Sequence, residues 1–155
     1  MSTQDHTGCC IDRWNPPGIA NSSARVLPAG TVVLSRTASV GFVAMMGRPM
    51  ATSQDFVNWV CGPELDPTFL MYLLRASRRY IRRLSSGAIH KTVYVPTVKA
   101  LTVCLPDVDE QRQIATKVRS RLAALDGIRA RLKDQAAEIG GLSAVFLRHA
   151  LSGGL

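Results

Sequence analysis

The sequence predicts an α+β fold: a mixed-sheet domain over residues 1–107, then one long C-terminal coiled-coil helix over 108–155. Two observations carry this. Three short, β-branched, apolar runs punctuated by Gly, Ser and Thr crowd the first half of the chain. After Asp107, apolar residues recur every third or fourth place for more than thirty residues. A chain of 155 residues holds one real core and a small appendage, and its 46% apolar content belongs to folded protein.

The elements follow in order. The first 24 residues mix polar side chains with the Pro16-Pro17-Gly18 turn signal and read as loop. GTVVLSR (30–36) and VGFVAMM (40–46) read as two strands joined tightly through Thr37, Ala38 and Ser39. DFVNWVC (55–61) is a third, with Phe56, Asn58 and Val60 on one face and Val57, Trp59 and Cys61 on the other. Asp66-Pro67 pairs an N-cap with proline at the first helical position, and the helix it starts is expected to run to Gly87. Leu70, Leu73, Leu74, Ser77, Ile81 and Leu84 form its apolar stripe. Arg75, Arg78, Arg79, Arg82 and Arg83 form a second stripe, whose mutual repulsion calls for compensation. The negative end of the same helix with solvent would supply it, and so would a phosphate backbone.

TVYV (92–95) and ALTVCL (100–105) read as two further strands around Pro96. Asp107 then serves as N-cap with Glu110 as its capping-box partner, and acids in the first turn suit the helix dipole. The helix they start carries Ile114, Val118, Leu122, Leu125, Ile128, Leu132, Ala136, Ile139, Leu142 and Phe146 at a mean spacing close to 3.6 residues. Some forty residues reach roughly 60 Å, more than the width of so small a domain. The far half therefore needs a partner helix, from another subunit or from a fold-back at Gly140-Gly141.

Charge narrows the class of partner. The net charge is +8, with 11 Lys and Arg against 6 Asp and Glu in residues 1–107 and 8 against 5 in residues 108–155. Both parts are basic, which favours an acidic partner such as nucleic acid and also suits an ordinary solvated surface. Cys9, Cys10, Cys61 and Cys104 form no CxxC pair and have no histidine at zinc-ligand spacing, so they read as reduced thiols with no metal. The N-terminus lacks an apolar signal core and the run Val40 to Met46 is far too short for a bilayer, so a soluble, cytoplasmic protein is expected.

No G-x-S-x-G, Walker A or H-E-x-x-H motif occurs, and no Gly-rich cofactor loop follows a strand. A Cys9 or Cys10 nucleophile with His90 is the remaining catalytic arrangement, and no spacing asks for it. No catalytic residue and no cofactor are therefore expected. Three loop regions are denser in information: 27–41, 50–56 and 85–93. Gly30, Gly41 and Gly87 permit tight turns there, beside Ser35, Arg36, Thr37, Ser39, Gln54, His90 and Lys91. The hydroxyls suit turn backbone, whereas Arg36 and Lys91 suit phosphate.

Four segments, ARVLPAGTVVLSRTASVG, MATSQDFVNWV, FLMYLLRASRRYIRRLSSGAIHKTV and LPDVDEQRQIA, occur in that order. Together they resemble the DNA specificity subunits of type I restriction-modification systems, over about residues 21–150. The resemblance implies a non-catalytic target recognition domain that reads half of a split site on double-stranded DNA, followed by a spacer helix. Arg36, Thr37, Ser39, Gln54, His90 and Lys91 would face DNA, with Arg75, Arg78, Arg79, Arg82 and Arg83 on phosphates or a partner. Val118, Leu122, Leu125, Ile128, Leu132, Ile139, Leu142 and Phe146 would pair with a second copy or another specificity subunit. The methyltransferase subunit would be a further partner and would alone hold S-adenosylmethionine. A helix of roughly 60 Å spans just under two turns of duplex, as a ruler between half-sites would. Family domains begin with a further stretch of strands and loops, so this chain is expected to be a shortened half subunit; an interaction protein that keeps only the helix function is the other reading.

Overall fold

The computed structural model describes residues 24–87 and 91–152, with backbone alone at 142–145. Residues 1–23 of the expected 24-residue N-terminal loop, with Cys9 and Cys10, together with His90 and the side chain of Leu142, lie outside the described residues. The chain divides into a unit ending at Ala115 and a second beginning at Thr116.

The three strands form at the predicted places and are shorter than the apolar runs: β1 (Val32–Ser35), β2 (Val43–Met45) and β3 (Phe56–Trp59). β1 lies in the middle, antiparallel to both neighbours, with Leu34 opposite Val43 and Val57, and Val32 opposite Met45 and Trp59. Alternation along β1 therefore puts Val32 and Leu34 on one face, where both are wholly buried. Of the two faces read for β3, the one carrying Val57, Trp59 and Cys61 is the one that packs against the core.

Helix α1 (Pro67–Ala76) packs on β1 and β2 through the buried Leu70, Met71 and Leu74. Asp66 caps it, its carboxylate accepting from the Phe69 N–H at 2.8 Å. The expected single helix to Gly87 is interrupted. At Ser77 ψ is 1°, outside the α-helical basin, and a separate short helix α2 (Arg78–Arg83) follows, placing Ile81 in the core.

The two strands expected around Pro96 do not form. Thr92 makes only isolated bridges to Thr37 and Ser86, and Val95–Lys99 is a short helix, α3, that buries Val98. Proline decides this: in its first turn α3 needs no N–H from Pro96, while a ladder would lose one. Residues 101–107 carry no regular structure.

Helix α4 (Val108–Leu151) has 44 residues, about 66 Å of rise. Asp107 caps it through the Glu110 N–H at 2.8 Å. No return bond from the Glu110 side chain is present among the described residues, so half of the capping box forms. The backbone runs on as helix through Gly140-Gly141, which removes the fold-back at that pair. On the second unit Leu122, Leu125, Ile128, Leu132, Ile139 and Phe146 are exposed, from 41% at Leu122 to 72% at Phe146.

Candidate nucleic-acid interface

The three loop regions singled out in the sequence meet at one residue. Arg36 leaves the end of β1 and its backbone N–H donates to the Asp55 carbonyl at 2.9 Å. Its Nε donates to the Gln54 carbonyl at 2.7 Å, and its own carbonyl accepts from the Val93 N–H at 2.8 Å. The turns 36–42 and 52–55 and the segment 91–93 are thus knotted together beside one end of the sheet. Arg36 makes this joint with a side chain expected to reach phosphate, and it is half-buried.

Each turn has its own internal bonds. The Thr37 carbonyl accepts from Ser35 Oγ at 3.2 Å and from the Ser39 N–H at 2.6 Å. Ala38 takes the left-handed φ of 56° at the exposed tip, next to exposed Ser39. Gly41 has φ 84°, and a β-carbon there would stand 2.8 Å from Arg78 Cγ, so glycine is required on both counts. In the second turn Ser53 and Asp55 bond each other, Gln54 is exposed, and Asn58 Nδ2 donates to Thr52 Oγ1 at 2.7 Å. In the third, Ser86 and Thr92 exchange backbone bonds of 3.0 and 2.9 Å, leaving Lys91 exposed beside them. The hydroxyls of Ser35 and Ser53 thus bond within their own turns, as anticipated for the hydroxyl group.

The five arginines do not form one free face. The break at Ser77 divides them. Arg75 Nε donates to the Val43 carbonyl at 3.3 Å, and the Arg78 guanidinium lies 3.9 Å from the centre of the Phe42 ring. Both therefore brace β2 and the turn before it. Arg79, Arg82 and Arg83 are exposed, and none is in an ion pair among the described residues. The first unit thus offers Arg79, Arg82, Arg83 and Lys91 as open cations, with Ser39 and Gln54 as exposed polar side chains.

A groove of about 190 Å³ lies elsewhere on this unit, lined by Trp59, Leu70, Leu73, Tyr80, Leu101 and Val103 among others. Its apolar wall does not suit a polyanion. The Cys61 thiol beside the same core has its pKa pushed up by burial and then by the Asp66 carboxylate, which keeps it protonated. No cluster of three metal-ligating side chains occurs among the described residues, and none of their helices is long and apolar enough to cross a membrane.

One polar residue of the first unit escaped the sequence reading. Gln111 in the first turns of α4 is 1% exposed, and its amide is fully bonded. Extending the stripe of Ile114 and Ala115 back by one turn lands on position 111, a signal that a polar side chain there faces inward.

This geometry has relatives. The family model of the type I restriction modification DNA specificity domain matches residues 3–136. The chain belongs to that family. A relative among specificity domains is the type I restriction enzyme MjaIX specificity subunit of Methanocaldococcus jannaschii, 29% identical over 100 residues, which are 63% of this chain and 23% of that one. The S subunit of a type I restriction-modification system from M. genitalium shares the fold, with a TM-score of 0.54, 22% identity and coverage of 72% of this chain and 32% of that one. A chain from a study of type I restriction-modification complex assembly and conformational transition aligns with a TM-score of 0.69 at 22% identity, covering 84% of this chain and 33% of its own length. The specificity-domain chain described here thus spans about a quarter to a third of the length of these relatives. The similarity shows an α+β specificity-domain fold with a long C-terminal helix.

Proposed function

We propose that this chain is a sequence-specific DNA recognition module of a type I restriction-modification complex, which positions a methyltransferase subunit on a split target site. The observation that carries the reading is the Arg36 knot. It gathers three loops rich in exposed polar side chains at one place, and the same unit bears the open cations Lys91, Arg79, Arg82 and Arg83. Phosphate contacts from these cations would set register and affinity, while Ser39 and Gln54 are the side chains free to meet base edges. Catalysis and S-adenosylmethionine belong to the partner in this scheme, and the chain itself works without a cofactor. Its exposed α4 stripe would pair with a second copy or another specificity subunit, which is the general solution for an amphipathic helix with no burial of its own.

A mobility-shift series in salt tests it. Wild-type chain should retain duplex DNA with log K falling linearly in log salt, and Lys91→Ala should lower that slope by about 0.9. Loss of binding at low salt, with methyltransferase still co-purifying, would leave the second reading, an interaction protein that works through α4 alone. One observation favours that second reading: Arg36, Arg75 and Arg78 are engaged inside the domain, which leaves fewer cations for phosphate.

A further inference from the structure

Gln111 is the most deeply buried amide in the described residues, and the way it is bonded is specific. Its Oε1 accepts from the Asp66 N–H at 2.9 Å. Its Nε2 donates to the Glu64 carbonyl at 3.0 Å and to the Pro106 carbonyl at 2.9 Å. Asp66 is the N-cap of α1, and Pro106 immediately precedes Asp107, the cap of α4. A single side chain therefore satisfies backbone groups at two helix starts that are over forty residues apart in sequence. One acceptor and two donors are needed, which among side chains of this size only an amide supplies in neutral form.

We propose that Gln111 is a positioning residue, whose amide fastens the root of the assembly helix α4 to the α1 start within the recognition unit. Without it the Asp66 N–H and the carbonyls of Glu64 and Pro106 lose the partner that ties them together, so the two helix starts separate while the sheet remains. The latch is local. Val32, Leu34 and Val43 of the sheet make no hydrogen bond to it.

Hydrogen exchange on the full chain decides the matter. In Gln111→Leu, exchange in peptides covering 62–70 and 104–115 should rise roughly tenfold or more, with peptides of 30–46 unchanged, since each orphaned group costs about as much as a tenfold shift in opening. Gln111→Glu supplies a signature that a general packing role would not. When protonated, the carboxyl accepts from Asp66 N–H and donates to one carbonyl; when ionised, it faces two carbonyl oxygens, with the acidic residues Glu64, Asp66 and Asp107 on the segments it binds and Arg112 next on the helix. Burial and the two facing carbonyl oxygens raise its folded pKa above the unfolded value, outweighing Arg112 and the Asp66 N–H, which pull it down, so protection of 62–70 and 104–115, corrected for intrinsic rate, should be present at acid pH and lost as pH rises through that pKa.

Uniform acceleration over the sheet peptides in Gln111→Leu, or equal protection of Gln111→Glu at both pH values, would overturn the proposal, as would no change in either variant. A second arm rests on the DNA reading. Gln111→Leu should keep the wild-type salt slope on duplex, because no phosphate contact is lost; a lower slope in this variant would also count against a latch role. If wild-type chain shifts no DNA, that reading fails, and the exchange result still stands or falls by itself.

Discussion

The two units treat the same kinds of side chain in opposite ways. In the first unit Val32, Leu34 and Val43 of the sheet and Leu70, Met71 and Leu74 of α1 are buried, and even arginines are drawn in: Arg36 ties three loops, and Arg78 covers Phe42. In the second unit Leu122, Leu125, Ile128, Leu132, Ile139 and Phe146 stand in solvent, and the one ion pair there among the described residues, Arg129 to Asp126 at 3.7 Å, is exposed and worth little. The first unit carries its own core. The second has a regular shape from backbone hydrogen bonds alone, and an isolated helix of that kind gains most of its stability from what covers its apolar stripe. In the proposed function, this contrast would give recognition to a self-contained body and assembly to an unfinished one.

The contrast breaks most readily on the helix. Leu125→Lys with Leu132→Lys should convert a dimer to monomer or aggregate by light scattering, each lost contact being worth on the order of 2 kcal/mol or more. A wild-type monomer would remove the contrast at its root. The next largest effect concerns the first unit: Arg36→Ala should lower stability to urea by roughly 1.5–3 kcal/mol, because the Gln54 carbonyl loses a charged donor. Lys91→Ala, exposed beside it, should leave the urea midpoint unchanged while lowering the DNA salt slope. Equal behaviour of these two variants would show that knot and open cation are not distinct. Gly41→Ala should cost about 1–2 kcal/mol, from its left-handed φ and the approach to Arg78 Cγ. The smallest effect sharpens the helix side. A β-carbon at Gly140 meets nothing within 4 Å, so Gly140→Ala should raise thermal stability by about 1 kcal/mol. A loss of dimer in that variant would locate a close approach of the partner helix there.

Much of this was legible in residues. Asp66-Pro67 and Asp107 announced two helix starts because capping is a local matter of one side chain and the next three N–H groups. The grouping of Val57, Trp59 and Cys61 on one face of β3 followed from alternation alone, and packing turned that face inward. The 92–105 region misled because β-branched residues around Pro96 share the composition of strands, and only the missing N–H of Pro96 favoured a helical first turn. The arginine row misled because its period of 3–4 assumed one unbroken helix; the bend at Ser77 and the nearness of Phe42 and Val43 come from packing.

Local sequence by itself determined where α1 and α4 begin, which residues of β3 share a face, and that α4 would carry a long apolar stripe, since these depend on neighbours within about four residues. Tertiary structure alone decided the rest. It turned Arg36 from a prospective phosphate ligand into the knot of three loops. It also made Gln111, an ordinary polar residue in DEQRQIA, the buried bond between two helix starts. Each role depends on at least one partner 18 or more residues away, Gln54 for Arg36 and Asp66 for Gln111, and no periodicity along the chain records which backbone groups a fold will leave in need of a bond.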